Sequence, residues 1–171
     1  MVCVLVVAVI HNYSLPFSYY KKMPIRFVHA ANGQLPPYAY IGGHDNGPQY
    51  VARSYHEGSL VPGKFVPHHG VTYVPWGGKE HPKTQYEVLV QEGPDNLVWV
   101  DASRGNLGST GAVKSGRNDA GKPLYVGRAQ IAGTWTLGKV NPEHRTCYVP
   151  YGGKEHAITN YQVLCLREVE V

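Results

Sequence analysis

The chain repeats itself, and this constrains its fold more than any other feature. Tyr50-Val51-Ala52-Arg53 recurs as Tyr125-Val126-Gly127-Arg128, an offset of 125 − 50 = 75. At the same offset Gly63-Lys64 returns as Gly138-Lys139, and Tyr86-Glu87-Val88-Leu89 as Tyr161-Gln162-Val163-Leu164. The longest match runs from Tyr73-Val74-Pro75-Trp76-Gly77-Gly78-Lys79-Glu80-His81 to Tyr148-Val149-Pro150-Tyr151-Gly152-Gly153-Lys154-Glu155-His156. No gap is needed from Tyr50 to Glu92. Further upstream, Phe27-Val28-His29-Ala30 matches Trp99-Val100-Asp101-Ala102, and the small insertions fall in Gly/Pro/Asn-rich stretches where loops tolerate them. Two copies are therefore expected, 27–92 and 97–168, after an extension covering 1–26. The turn-like Gly93-Pro94-Asp95-Asn96 is too short to separate two freely moving domains. The copies are expected to pack about a pseudo-twofold as one structural unit.

Dense punctuation excludes long helices. Gly at 20 and Pro at 13 in 171 residues leave few uninterrupted windows, and Tyr at 13 far exceeds Phe at 3. Tyr86–Val90, Val98–Ala102, Leu124–Ile131 and Cys147–Tyr151 are short, β-branched or aromatic runs bounded by turn residues, which predicts strands. The stretch from Glu155 to Val171 lacks Gly and Pro, but its first-copy partner contains Pro82 and interleaved polar residues, so strand is expected there too. The fold class is all-β, built from tandem repeats of short antiparallel strands.

Sixteen basic against twelve acidic residues give +4 at pH 7, with no basic run longer than Lys21-Lys22, which argues against a nucleic-acid partner. Cys3, Cys147 and Cys165 form neither a disulfide framework nor a Cys-x-x-Cys zinc pattern. A reducing compartment fits them, and a Cys147–Cys165 bridge stays open as the alternative. Met1 to Ile10 is apolar but stops at His11-Asn12, well short of the roughly 20 residues a spanning helix needs. It lacks the positive start and cleavage site of a signal peptide. Two readings of it stand: a signal-like leader, or an extension or extra strand. Cytoplasmic placement is expected, with vesicle association or, if residues 1–22 act as a leader, secretion as the alternatives.

The polar residues exclude several chemistries. There is no Gly-x-Ser-x-Gly elbow, and neither cysteine recurs between copies, which leaves Cys147 and Cys165 as buried structural thiols. Gly42-Gly43, Gly77-Gly78 and Gly152-Gly153 lack phosphate-loop spacing and are expected to supply positive φ at tight turns. Of nine histidines only His69/His144 and His81/His156 recur, without metal-ligand spacing, so neither metal nor other cofactor is expected. Two duplicated polar sets remain. Gly-Lys-Glu-His, at 78–81 and 153–156, reads as a hydrogen-bonded corner in which Lys and Glu satisfy loop groups of the twin copy, with Glu80 and Glu155 as secondary site candidates. The other set is an acidic turn followed by Gly-Lys: Asp45 with Lys64, and Asn118-Asp119 with Lys139. Taken alone, the Asp reads as a turn residue and the Lys as a solvated surface charge.

In combination these motifs closely resemble the DM-nine repeat, the family that includes tandem-repeat invertebrate mannose-binding lectins. The resemblance covers both copies from about Phe27 to Glu168. It implies an all-β pair of intertwined repeats and a metal-independent mannose site in which an Asp and the Lys of Pro-Gly-Lys contact sugar hydroxyls. By position these are Asp45 and Lys64. In the second copy the Lys is Lys139, while Asn118 takes the acidic position with Asp119 beside it, displaced by an extra residue near Lys122. Leu137 also replaces the proline before Gly138. The implied role is a non-enzymatic lectin of mannose-containing glycans, of the kind used in pattern recognition and innate immunity, gaining avidity from two sites and from homodimerisation. The alternative is an intracellular interaction or scaffold module of the same fold with weak or no sugar binding.

Overall fold

The computed structural model describes residues 25–108 and 111–167; the apolar N-terminal stretch and Cys3 lie outside them. Among the described residues, fourteen strands account for almost all regular structure, and every pairing between them is antiparallel. The first seven are β1 Arg26–Ala31, β2 Ile41–His44, β3 Pro48–His56, β4 Ser59–Val66, β5 Val71–Trp76, β6 Lys79–Lys83 and β7 Gln85–Val90. The second seven follow in a similar order of lengths and turns: β8 Leu97–Ser103, β9 Lys114–Arg117, β10 Pro123–Ile131, β11 Thr134–Asn141, β12 Thr146–Tyr151, β13 Lys154–Ile158 and β14 Asn160–Leu166. All four expected strands are present within a residue or two, and the Glu155–Val171 stretch forms most of β13 and all of β14 as far as it is described. The chain is all-β.

Eight strands close a ring. The path β4-β5-β6-β13-β12-β11-β10 is completed by β9, which pairs with β10 on one side and with β4 through Leu60 and Arg117 on the other. The closure draws strands from both halves of the sequence. A central cluster does the same, packing Val51 and Leu89 against Leu97, Val113, Val126, Leu137 and Leu164. Two further clusters complete the core, one around Phe65 and Tyr86, whose rings stack at 4.9 Å, the other around Tyr125, Val140, Cys147 and Tyr161. Cys147 and Cys165 are free, buried thiols in the last of these, so no bridge joins them.

The glycine pairs divide into two kinds. Gly77-Gly78 and Gly152-Gly153 turn with φ between 57° and 80°, as expected. Gly42-Gly43 does not. Both lie inside β2, where a side chain at Gly42 would strike Leu137 and one at Gly43 the Trp135 carbonyl. There, the absence of a Cβ lets β2 lie flat on β11. Gly63 and Gly138 serve the same purpose, since a Cβ on either would overlap the carbonyl oxygen of Tyr73 or Tyr148 on the neighbouring strand. Gly138→Ala is therefore expected to cost about 3 kcal/mol, the upper end of overpacking penalties, because the obstacle is backbone. Gly152→Ala, with nothing within 4 Å and only its φ of 58° at stake, should cost about 1 kcal/mol. Urea unfolding of the two variants checks the order; a larger loss at Gly152 would contradict it.

Candidate functional site

The two lysines of the Gly-Lys motifs sit on strands that are buried on both faces. Every residue of β4 is buried, as are six of the eight in β11. Lys64 and Lys139 are consequently each only 5% exposed, not the solvated charges expected of a lone lysine. A buried ammonium must be hydrogen-bonded. Lys64 Nζ donates to the Pro150 carbonyl at 2.6 Å and pairs with Glu80 Oε1 at 3.3 Å. Lys139 Nζ donates to the Pro75 carbonyl at 2.5 Å and pairs with Glu155 Oε1 at 3.0 Å.

The Gly-Lys-Glu-His corners complete this arrangement. The second oxygen of Glu80 accepts from the Gly153 amide at 2.8 Å, and that of Glu155 from the Gly78 amide at 2.7 Å. The Glu80 and Glu155 amides donate in turn to the Gly153 and Gly78 carbonyls. The corner thus binds loop groups of the twin copy, as expected for its glutamates. Its own lysines take no such part: Lys79 and Lys154 are exposed and lie opposite each other where β6 meets β13. His81 and His156 donate from Nε2 to the Trp76 and Tyr151 carbonyls, fixing the turns from within. Burial pulls both Lys64 and Lys139 below the ordinary lysine range, while Glu80 and Glu155 hold the charged form against it.

Each lysine forms the floor of a cavity. The first, about 340 Å³, is lined by Asp45, Asn46, Gln49, Lys64, His68, His69, Tyr73, Glu80 and Tyr151. The second, about 400 Å³, brings together Asn118, Asp119, Lys139, Asn141, His144, Tyr148 and Glu155 with Trp76. All seven residues picked out in the sequence lie in one cavity or the other. Such volumes are at the small end for ligand pockets. Aromatic walls flank both ammonium groups: Tyr73 and Tyr151 at 5.7 and 5.4 Å from Lys64, Tyr148 and Trp76 at 5.1 and 4.7 Å from Lys139. In each pair one ring comes from the other copy. The Tyr73 and Tyr148 hydroxyls share hydrogen bonds with His69 and His144, which accounts for the recurrence of those histidines.

The acidic turns differ. Asn46 at φ 48° and Gly47 at φ 138° hold a tight turn in which the Asp45 amide donates to the Gly47 carbonyl, and the Asp45 charge adds to Glu80 in favouring ammonium at Lys64. In the second copy, residues 118–122 stand where 45–47 stand in the first, so the insertion is two residues rather than one. Asn118 follows the last paired residue of β9 as Asp45 follows that of β2, which makes it the counterpart of Asp45. Asp119 is exposed, with Oδ1 accepting from the next amide, that of Ala120. Gln49 escapes notice in the sequence because Leu124 replaces it in the second copy. It is buried in the first cavity and accepts from the Leu137 amide across the copies.

Fold and site together define an all-β protein with two small aromatic-walled cavities, each offering an ammonium, a carboxylate and hydroxyl or imidazole groups to a polar ligand. The chain belongs to the DM9 repeat family, whose model matches residues 44–158. It is 29% identical over 94 residues to Natterin-3 from Thalassophryne nattereri, a match covering 54% of this chain and 23% of that protein. Its fold is shared with the crystal structure of the nematode sperm cell motility protein MFP2B, at a TM-score of 0.66 and 18% identity over 86% of this chain and 47% of the other. The chain thus spans less than half the length of either relative. No helix among the described residues is long and apolar enough to cross a membrane.

The nine-tenths buried Lys64–Glu80 pair has a measurable consequence for stability. Glu80→Ala leaves the ammonium with one carbonyl partner and is expected to cost about 3 kcal/mol or more. Replacing both members, as Lys64→Met with Glu80→Leu, should recover much of that loss. Denaturant unfolding of the single and double variants measures both.

Proposed function

We propose that this chain is a non-enzymatic, metal-independent lectin whose two cavities each take a mannose-type residue. The observation that carries the reading is Lys64 held at the floor of an open cavity with Asp45 on its rim and tyrosines on its walls. An ammonium has three N–H groups, and two are engaged by Pro150 and Glu80. The third is free to donate to a sugar oxygen while the Asp45 carboxylate accepts from neighbouring hydroxyls. Such charge-assisted pairs are stronger than neutral ones. The tyrosine rings offer apolar faces to the C–H side of the sugar.

A site of this size binds one residue weakly, on the order of mM to tens of μM, so avidity comes from two sites per chain and from assembly of chains. Titration calorimetry with mannose, galactose and mannan, with and without chelator, tests the reading. Saturable mannose and mannan binding, insensitive to chelator, is expected. Asp45→Ala and Lys64→Ala should each remove most of the affinity. Lys139→Ala should remove less, because a neutral amide stands at position 118 and loses roughly 5- to 30-fold in charge-assisted contact. The absence of saturable binding to any mannose-type ligand would sink the reading and favour a scaffold role.

A further inference from the structure

The two cavities do not hold their rim carboxylate in the same place. In the first, Asp45 is on the turn after β2, and His68 stands beside that turn, its Nδ1 3.9 Å from where a Cβ on Gly47 would lie. In the second, the turn carries the neutral Asn118, and the position matching His68 is Glu143 (143 − 68 = 75). Asn118 Nδ2 donates to Glu143 Oε2 at 3.2 Å. The second cavity thus has an acid, Glu143, bonded to its lining residue Asn118, where the first has His68.

We propose that Glu143, rather than Asp119, is the carboxylate that contacts the sugar in the second cavity. The inference rests on the sugar-binding reading above and assigns that site a residue the repeat pattern does not predict. Asn118 is fixed as an adapter: its Oδ1 accepts from the Lys122 amide at 2.8 Å, which turns its NH₂ toward Glu143. The Glu143 amide donates to Oδ1 of Asn141, a buried residue lining the cavity, which ties the backbone of the rim to the pocket wall. Next along the chain, His144 is held by the Tyr148 hydroxyl. With one oxygen taken by Asn118, the carboxylate keeps its other oxygen and remaining lone pairs for ligand hydroxyls. Asp119 lines the cavity, but its Oδ1 is occupied by its own turn. Its side chain lies near the Gly58 turn, 3.9 Å from where a Cβ on Gly58 would be.

The test uses the Lys64→Ala chain, in which only the second cavity reports, titrated with mannose by calorimetry. In that background Glu143→Gln, an exposed and nearly isosteric change, is expected to weaken binding at least about fivefold. Asp119→Asn should weaken it less than Glu143→Gln. Asn118→Asp combined with Glu143→His rebuilds the first cavity's arrangement and should raise affinity to that of the first site, read from a Lys139→Ala chain. A loss at Asp119→Asn that equals or exceeds the loss at Glu143→Gln overturns the assignment. So does a Lys64→Ala chain that no longer binds mannose while the unmodified chain does. If the unmodified chain binds no mannose, the sugar-binding reading itself fails, a result distinct from either.

Discussion

The rest of this structure depends on how two buried ammonium groups are satisfied. Neither half of the chain contains all the acceptors its own lysine needs: Lys64 relies on the Pro150 carbonyl and Lys139 on that of Pro75. Proline is well suited to this position because it lacks the N–H that would tie it into an ordinary ladder. The glutamates then bridge from each lysine to the amide of the opposite Gly-Gly turn. A charge that would cost several kcal/mol if stranded is compensated only when both halves are in place. The cavities, their aromatic walls and the junction of β6 with β13 follow from that crossing.

Placing a buried charge at the floor of a recess also suits recognition of a neutral, hydroxyl-rich ligand. The ammonium is immobile, so little side-chain entropy remains to be lost on binding. Burial strengthens its hydrogen bonds relative to those of a surface lysine. The depressed proton affinity of Lys64 and Lys139 is the counterpart of this arrangement, and the adjacent glutamates keep it from neutralising the site.

Much of this is legible in the sequence. The duplication aligns Lys64 with Lys139 and Glu80 with Glu155, and each lysine does share a cavity with its glutamate. Strands bounded by Gly and Pro are readable because turn chemistry is local. What escapes is non-local. Nothing near Lys64 announces that β4 is covered on both faces, or that its acceptor lies 86 residues away at Pro150. Gly42-Gly43 resembles the turn glycines, since a flat approach of β2 to β11 leaves no mark in the neighbouring residues. The insertion in the second acidic turn looks one residue too short in sequence because its pairing with β10, not its composition, locates it.

The traded aromatic walls have a consequence for descent. Trp76 is encoded in the first repeat but faces the lysine of the second, and Tyr151 does the reverse. After a duplication, one copy is commonly free to drift while the other is kept under selection. Here that freedom is curtailed, since the share of each cavity lent by the other half is exposed to selection on both. The halves are heritable partners more than spare copies, even where they differ, as at Asp45 and Asn118 or His68 and Glu143.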